Sequence, residues 1–215
     1  MTATRTISPL DRLLIRVDEA LRLSSGAAPA PGRPNPADGL LPLQLDSQQR
    51  RHVAGLMRVN HAGEICAQAL YAGQAATARH DEVRAAMRQA ADEEIDHLSW
   101  CESRLKELDS HPSFLNPLWY AGSFAIGALA GLAGDSWSLG FVRETEDQVE
   151  AHLQHHLDRL PAGDGRSRAI LDQMKIDEAN HSRMAEEAGG RKLPGAIRKA
   201  MALTAGIMKT LAYRV

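Results

Sequence analysis

Two four-residue words decide the fold: EIDH, Glu94 to His97, inside ADEEIDHLSWCESRL (91–105), and EANH, Glu178 to His181, inside MKIDEANHSRMA (174–185). Each lies in a run with the helical period. Around the first, Met87, Ala91, Glu94, Leu98, Cys101, Leu105 and Leu108 follow steps of four and three, the inward seam of a packed helix. Around the second, Leu171, Met174, Glu178, His181, Ala185 and Ala188 do the same. Glutamates therefore occupy positions meant for apolar side chains. An unpaired carboxylate there costs several kcal/mol, roughly the stability of a small domain, unless it is neutralised or binds a cation. One helical turn brings residues i and i+3 to one face, so each Glu-x-x-His delivers a carboxylate and an imidazole to a common point.

Two further seams complete the pattern. Met57, Asn60, Glu64, Ala67, Tyr71 and Gln74 share one stripe, and Val142, Glu146, Val149, Leu153 and Leu160 share another. Glu144 and Glu150 are close rivals of Glu146, but the phase favours Glu146, four after Val142 and three before Val149. The chain order is Glu, ExxH, Glu, ExxH, with 30 residues from Glu64 to Glu94 and 32 from Glu146 to Glu178. This is the ligand set of the ferritin-like di-iron and di-manganese carboxylate bundles. Two divalent ions would cancel the charge of the four carboxylates. The oxygen-rich donor set favours iron, with manganese as the alternative. Glu93 and Asp177, each just before a ligand glutamate, fit either a brace for the histidines or plain helix-surface charge. Tyr71 reads as a packed tyrosine, and Cys66 and Cys101 as small core residues.

The rest of the chain agrees with an all-α fold. Helices are expected over 47–78, 81–108, within 117–134, over 136–160 and 166–188, and after Pro194, giving a four-helix bundle with an apolar crossover helix and a C-terminal amphipathic helix. Residues 46–215 form this domain; residues 1–45 hold a short amphipathic helix (10–23) and SSGAAPAPGRPNPADGLLP (24–42), expected to be an extended, exposed linker. A net charge of −2 offers no polyanion-binding signature, so nucleic acid is not an expected partner. Two cysteines outside any CxxC suit a reducing compartment, and charges interrupting the first 23 residues argue against a secretory signal.

PLWYAGSFAIGALAGLAG (117–134) carries no charge and stands at the lower limit for a membrane span. With the basic, apolar-faced KLPGAIRKAMALTAGIMKTLAYRV (192–215), it fits a peripheral place on the cytoplasmic face of the cell membrane better than a span. An apolar substrate delivered from the bilayer would fit this arrangement.

RVNHAGEICAQALYAGQ (58–74), the EEIDH and DEANH words, ETEDQVEAH (144–152) and the Gly/Ala-rich apolar helix resemble the demethoxyubiquinone hydroxylases of ubiquinone biosynthesis, over about residues 45–215. The resemblance implies a di-iron monooxygenase with Glu64, Glu94, His97, Glu146, Glu178 and His181 as ligands, Glu94 and Glu178 bridging. It also implies a role near the site for His152, which could help move protons. The implied substrate is a polyprenyl methoxy-methyl benzoquinone or its quinol, and O2 the co-substrate, one atom entering the ring and the other leaving as water. No G-x-G-x-x-G is present, so electrons come from NADH, the quinol or a partner protein. Other ubiquinone-biosynthesis proteins and further copies of the chain are compatible partners. The alternative reading is a ferritin-like iron-storage or peroxide-detoxifying bundle.

Overall fold

The computed structural model describes residues 8, 18, 20–23 and 29–215, and everything described in regular structure is helical. The first long helix, α1 (Ser47–Thr77), starts at a capping box: Asp46 accepts from the Gln48 and Gln49 amides, and the Gln49 side chain accepts from the Asp46 amide. There follow α2 (Asp81–Glu107), α3 (Asn116–Leu132), α4 (Asp135–Leu157), α5 (Gly165–Glu187) and α6 (Gly195–Ala212). The helices expected from residue 47 onward are all present, with ends displaced by a few residues. Ala188 is a correction: it lies past the end of α5 and is exposed, not part of the inward seam.

The bundle is built from α1, α2, α4 and α5. α1 packs against α2 on one side and α3 on another, and α4 packs against α5. The seams close into two apolar layers. Leu56, Met57, Trp100, Leu105, Leu153 and Met174 belong to one; Tyr71, Met87, Leu139, Val142 and Ala185 belong to the other. The acidic seam positions lie between them along each helix.

The apolar helix α3 lies along the outside of α1, where glycines allow the backbones to touch. A Cβ on Gly127 would stand 2.2 Å from the Leu70 carbonyl oxygen, and one on Gly73 would stand 2.3 Å from the Phe124 carbonyl oxygen. Only glycine fits at either contact. The opposite side of α3 leaves Leu118, Leu129 and Leu132 each more than 60% exposed. No helix among the described residues is long and apolar enough to cross a membrane. Pro194 caps α6, which returns along α1, where His52 Nδ1 and the Tyr213 hydroxyl are 2.7 Å apart.

Most of the expected N-terminal helix lies outside the described residues; 18 and 20–23 are helical, and Leu23 is buried beside Ile65 and Leu98. The expectation of a free linker needs correction from residue 32 onward. Gly32 and Arg33 are hydrogen-bonded to Asp96 of α2, Ala37 is buried in the core, and Arg166 of α5 donates to the Leu40 carbonyl at 2.6 Å. The reason is physical: prolines restrict the unfolded chain and so lower the entropy lost on docking, and a buried acceptor on the bundle gains the partners it lacks.

Candidate metal centre

α1 contributes Glu64, α2 Glu94 and His97, α4 Glu146, and α5 Glu178 and His181, and each of the six is at most 4% exposed. They meet in the middle of the bundle. Ligand atoms of Glu64, Glu94, His97 and Glu178 all lie within 4.8 Å of one another, close enough to hold a metal ion.

The distances have a two-fold pattern. His97 Nδ1 is 2.8 Å from Glu94 Oε2 and 3.3 Å from Glu178 Oε1, whereas His181 Nδ1 is 3.2 Å from Glu94 Oε1 and 3.3 Å from Glu178 Oε2. Each of these two glutamates thus turns one oxygen to each histidine. Glu64 lies on the His97 side, Oε2 being 4.0 Å from Nδ1. Glu146 is beside Glu178 and His181, whose charges act on it directly. The geometry gives two half-sites, Glu64 with His97 and Glu146 with His181, joined by Glu94 and Glu178.

The electrostatics show what the cluster needs. Burial and the neighbouring charges of Glu94 and Glu178 push the Glu64 carboxyl well above its usual range, and burial with the same two glutamates does so for Glu146. Burial would raise Glu94 too, but the His97 and His181 imidazoliums hold it below. Burial lowers the histidines, yet Glu94 and the other carboxylates drive His97 well above the ordinary imidazole range and His181 up to about 12. Protons are therefore standing in for cations. Even so, Glu94 Oε1 and Glu178 Oε1 are buried with no well-formed hydrogen bond, meeting His181 Nδ1 and His97 Nδ1 only as ion-pair contacts at 3.2 and 3.3 Å. Orphaned carboxylate oxygens between two inward imidazole nitrogens fit a pair of divalent ions, which would replace the protons and satisfy both oxygens.

The outer ring nitrogens are braced crosswise. His97 Nε2 is 2.9 Å from Asp177 on α5, and His181 Nε2 is 2.7 Å from Glu93 on α2. Of the two readings open for Glu93 and Asp177, the structure gives the brace, which fixes each Nδ1 toward the centre. Tyr71 is also more than a packing residue. Its hydroxyl donates to Glu146 Oε1, a contact signalled in sequence only by a position two turns beyond Glu64. Glu144 and Glu150 stay half-buried while Glu146 is enclosed, as the helical phase requires.

His152 is not in the cluster. It sits on the wall of a cavity of about 570 Å³ between α1, α3, α4 and α6, whose lining includes Leu70, Trp119, Ile126 and Met201 and whose inner end reaches Glu64, Glu146 and Glu178. Its Nε2 is buried and unpartnered among the described residues. Burial and the nearby positive charge of Lys209, His155 and Arg159 lower its pKa to about 3, so the ring is neutral. Cys66 also faces this cavity, and Cys101 lies in the core.

Four helices that converge one Glu, one Glu-x-x-His, a second Glu and a second Glu-x-x-His on a buried centre define the ferritin-like class of two-metal carboxylate bundles. Within that class the comparisons are specific. The family model for ubiquinone biosynthesis protein COQ7 matches residues 51–212. Proteins named 3-demethoxyubiquinol 3-hydroxylase are similar over almost the whole chain. One from Xanthomonas euvesicatoria pv. vesicatoria (strain 85-10) is 60% identical over 215 residues, covering 100% of this chain and 99% of that protein. One from Xanthomonas oryzae pv. oryzae (strain PXO99A) is 61% identical over 212 residues, covering 99% and 97%. One from Cupriavidus pinatubonensis (strain JMP 134 / LMG 1197) is 60% identical over 208 residues, covering 96% and 100%. The chain belongs to the ubiquinone biosynthesis protein COQ7 family.

Proposed function

We propose that this chain is a monooxygenase that hydroxylates the ring of demethoxyubiquinol with O2, using two iron ions held by Glu64, Glu94, His97, Glu146, Glu178 and His181. Glu94 and Glu178, each turning one oxygen to each histidine, would serve both ions. The observation that carries the reading is the cavity: an apolar chamber of about 570 Å³ that ends on three of the carboxylates suits a quinol head with part of its prenyl tail. An iron-storage or peroxide-detoxifying bundle has no use for such a chamber.

Iron in this site would supply O2 binding and reduction. The chain does the rest. The apolar walls exclude water from the reacting ring and hold it in one orientation. Neutral His152, with a free Nε2 on the wall, accepts a hydrogen bond from a quinol hydroxyl and moves its proton as the ring is attacked. The Tyr71 hydroxyl fixes Glu146 on the cavity side. Two further electrons and two protons balance the water released, and NADH or another two-electron donor supplies them.

The exposed apolar faces of α3 and α6 support a peripheral position on the cytoplasmic face of the membrane. Leu118 and Ile126 of α3 and Ile197 of α6 line the cavity and are exposed, and Leu129 and Leu203 are exposed on the same two helices, so a quinol could pass from lipid to the site without crossing water. Co-sedimentation with anionic liposomes tests this: the double variant Leu129→Asp/Leu203→Asp should stay in the supernatant, and binding equal to wild type would refute the placement.

Anaerobically reduced, iron-loaded protein given demethoxyubiquinol and O2 should yield ring-hydroxylated quinol. Consumption of O2 with no such product, accompanied by accumulation of many irons per assembly, would favour the storage reading instead.

A further inference from the structure

The two halves of the centre look alike, but their outer supports differ. On the His181 side, Glu93 is 38% exposed in its side chain, takes a hydrogen bond from Gln89, and among the described residues pairs with no arginine or lysine. On the His97 side, Asp177 is 13% exposed, and the oxygen facing His97 Nε2 also receives Arg33 Nη1 at 2.9 Å. Arg33 comes from the proline-rich strap, far outside the bundle helices in sequence.

The same guanidinium reaches α2. Arg33 Nε donates to Asp96 Oδ2 at 2.5 Å, while the Gly32 amide donates to Asp96 Oδ1 at 2.7 Å. The guanidinium also lies over the Trp100 ring, 4.9 Å from its centroid, and that ring is in turn 5.4 Å from the His97 ring. On the C-terminal side of this contact region the strap is held by its own turn, with Asp38 N–H donating to the Asn35 carbonyl, and by Arg166 donating to the Leu40 carbonyl. One side chain thus bridges α2 to α5 beside the His97 brace. The substrate cavity approaches from the opposite, carboxylate-lined side and includes neither His97 nor Arg33.

We propose that Arg33 is a positioning residue for the metal centre: by clasping Asp96 and Asp177 it locks the brace of His97, making the His97 half-site the tighter of two unequal metal positions. A planar fork holds two carboxylates on different helices in a fixed geometry, which an ammonium on a flexible stem does less rigidly. Holding Asp177 in place keeps the His97 ring from rotating away from its ion, whereas Glu93, more exposed and with only the kind of glutamine contact that Asp177 also has from Gln173, leaves His181 freer. This inference rests on the two-iron reading of the site.

The test uses the full-length chain loaded with two Fe(II) under anaerobic conditions and challenged with a ferrous chelator. Wild type should release iron in two phases of equal amplitude. Arg33→Ala should accelerate the slow phase by about 10-fold or more, the range for loss of support behind a metal ligand, and leave the fast phase unchanged. Arg33→Lys should restore only part of the slow phase, and Arg166→Ala, which frees the strap at Leu40 and breaks the Arg166–Glu107 pair but leaves the Arg33 contacts in place, should leave both phases as in wild type. Mössbauer spectra should show two inequivalent ferrous sites, with Arg33→Ala altering one, a change that general loosening would not confine to a single site. Should Arg33→Ala fail to fold, Arg33→Lys keeps the charge and must still show a faster slow phase. Release at the wild-type rate in either variant, or equal acceleration of both phases, overturns the clasp while leaving the iron site intact. Failure of wild type to bind two irons overturns the site reading and the clasp with it.

Discussion

Glu178→Gln separates the chemistry of the centre from its packing. The substitution keeps the shape of a side chain that is 1% exposed and removes only its charge. Glu178 has one oxygen 3.3 Å from His97 Nδ1 and the other 3.3 Å from His181 Nδ1, so it serves both half-sites. Three carboxylates then face two divalent ions, leaving one positive charge uncompensated in the core. At a separation of about 4 Å and an effective dielectric of about 20, one lost charge pair is worth roughly 4 kcal/mol, or roughly a thousandfold in affinity for the weaker ion. The expected outcome is metal content falling from two ions per chain to one or fewer, loss of hydroxylation, and nearly unchanged helix content. Elemental analysis after equilibrium dialysis, far-UV circular dichroism and product chromatography measure the three. Retention of two ions at wild-type affinity would show that Glu178 does not bridge.

Two other outcomes follow from packing and protonation. Gly127→Ala places a methyl 2.2 Å from the Leu70 carbonyl oxygen, so α3 must shift from α1; a loss of about 1–3 kcal/mol in chemical denaturation is expected, and unchanged stability would refute the close approach. For metal-stripped protein, stability should fall as pH rises from 7 to about 8.5. His181, pushed up to about 12, keeps in the folded state through this window a proton that the unfolded chain has released, and the upward shifts of His97, Glu64 and Glu146 act in the same sense. His152 and His156, lowered to about 3 and about 2, act in the opposite sense but only below about 6.5. The limiting slope is about 1.4 kcal/mol per pH unit for each group; a flat or rising denaturation midpoint between pH 7 and 8.5 would refute the assignment.

How much of the site could be read before folding depends on the range of the interaction. Glu94 and His97 are one helical turn apart, so the sequence places them on one face without reference to any other helix. The same holds for Glu178 and His181, and phase alone separates Glu146 from Glu144 and Glu150. Seam reading fails at Ala188, because a helix end is set by capping; the chain turns at Gly189, whose φ of 92° carries no periodic signal.

The sequence by itself determined the bundle, the six inward glutamate and histidine positions and the apolar helix between the halves, since amphipathic periodicity is local and repeats within every helix. Tertiary structure alone decided which oxygen of Glu94 meets which histidine, that Asp177 and Glu93 brace across the bundle, that Tyr71 holds Glu146, and that Arg33 comes down from a proline-rich strap onto Asp96 and Asp177. These contacts join residues as much as 144 positions apart, as for Arg33 and Asp177. Hydrogen bonds and ion pairs depend on a few tenths of an ångström and on the angle at which two helices meet, and neither has a period that a sequence can display.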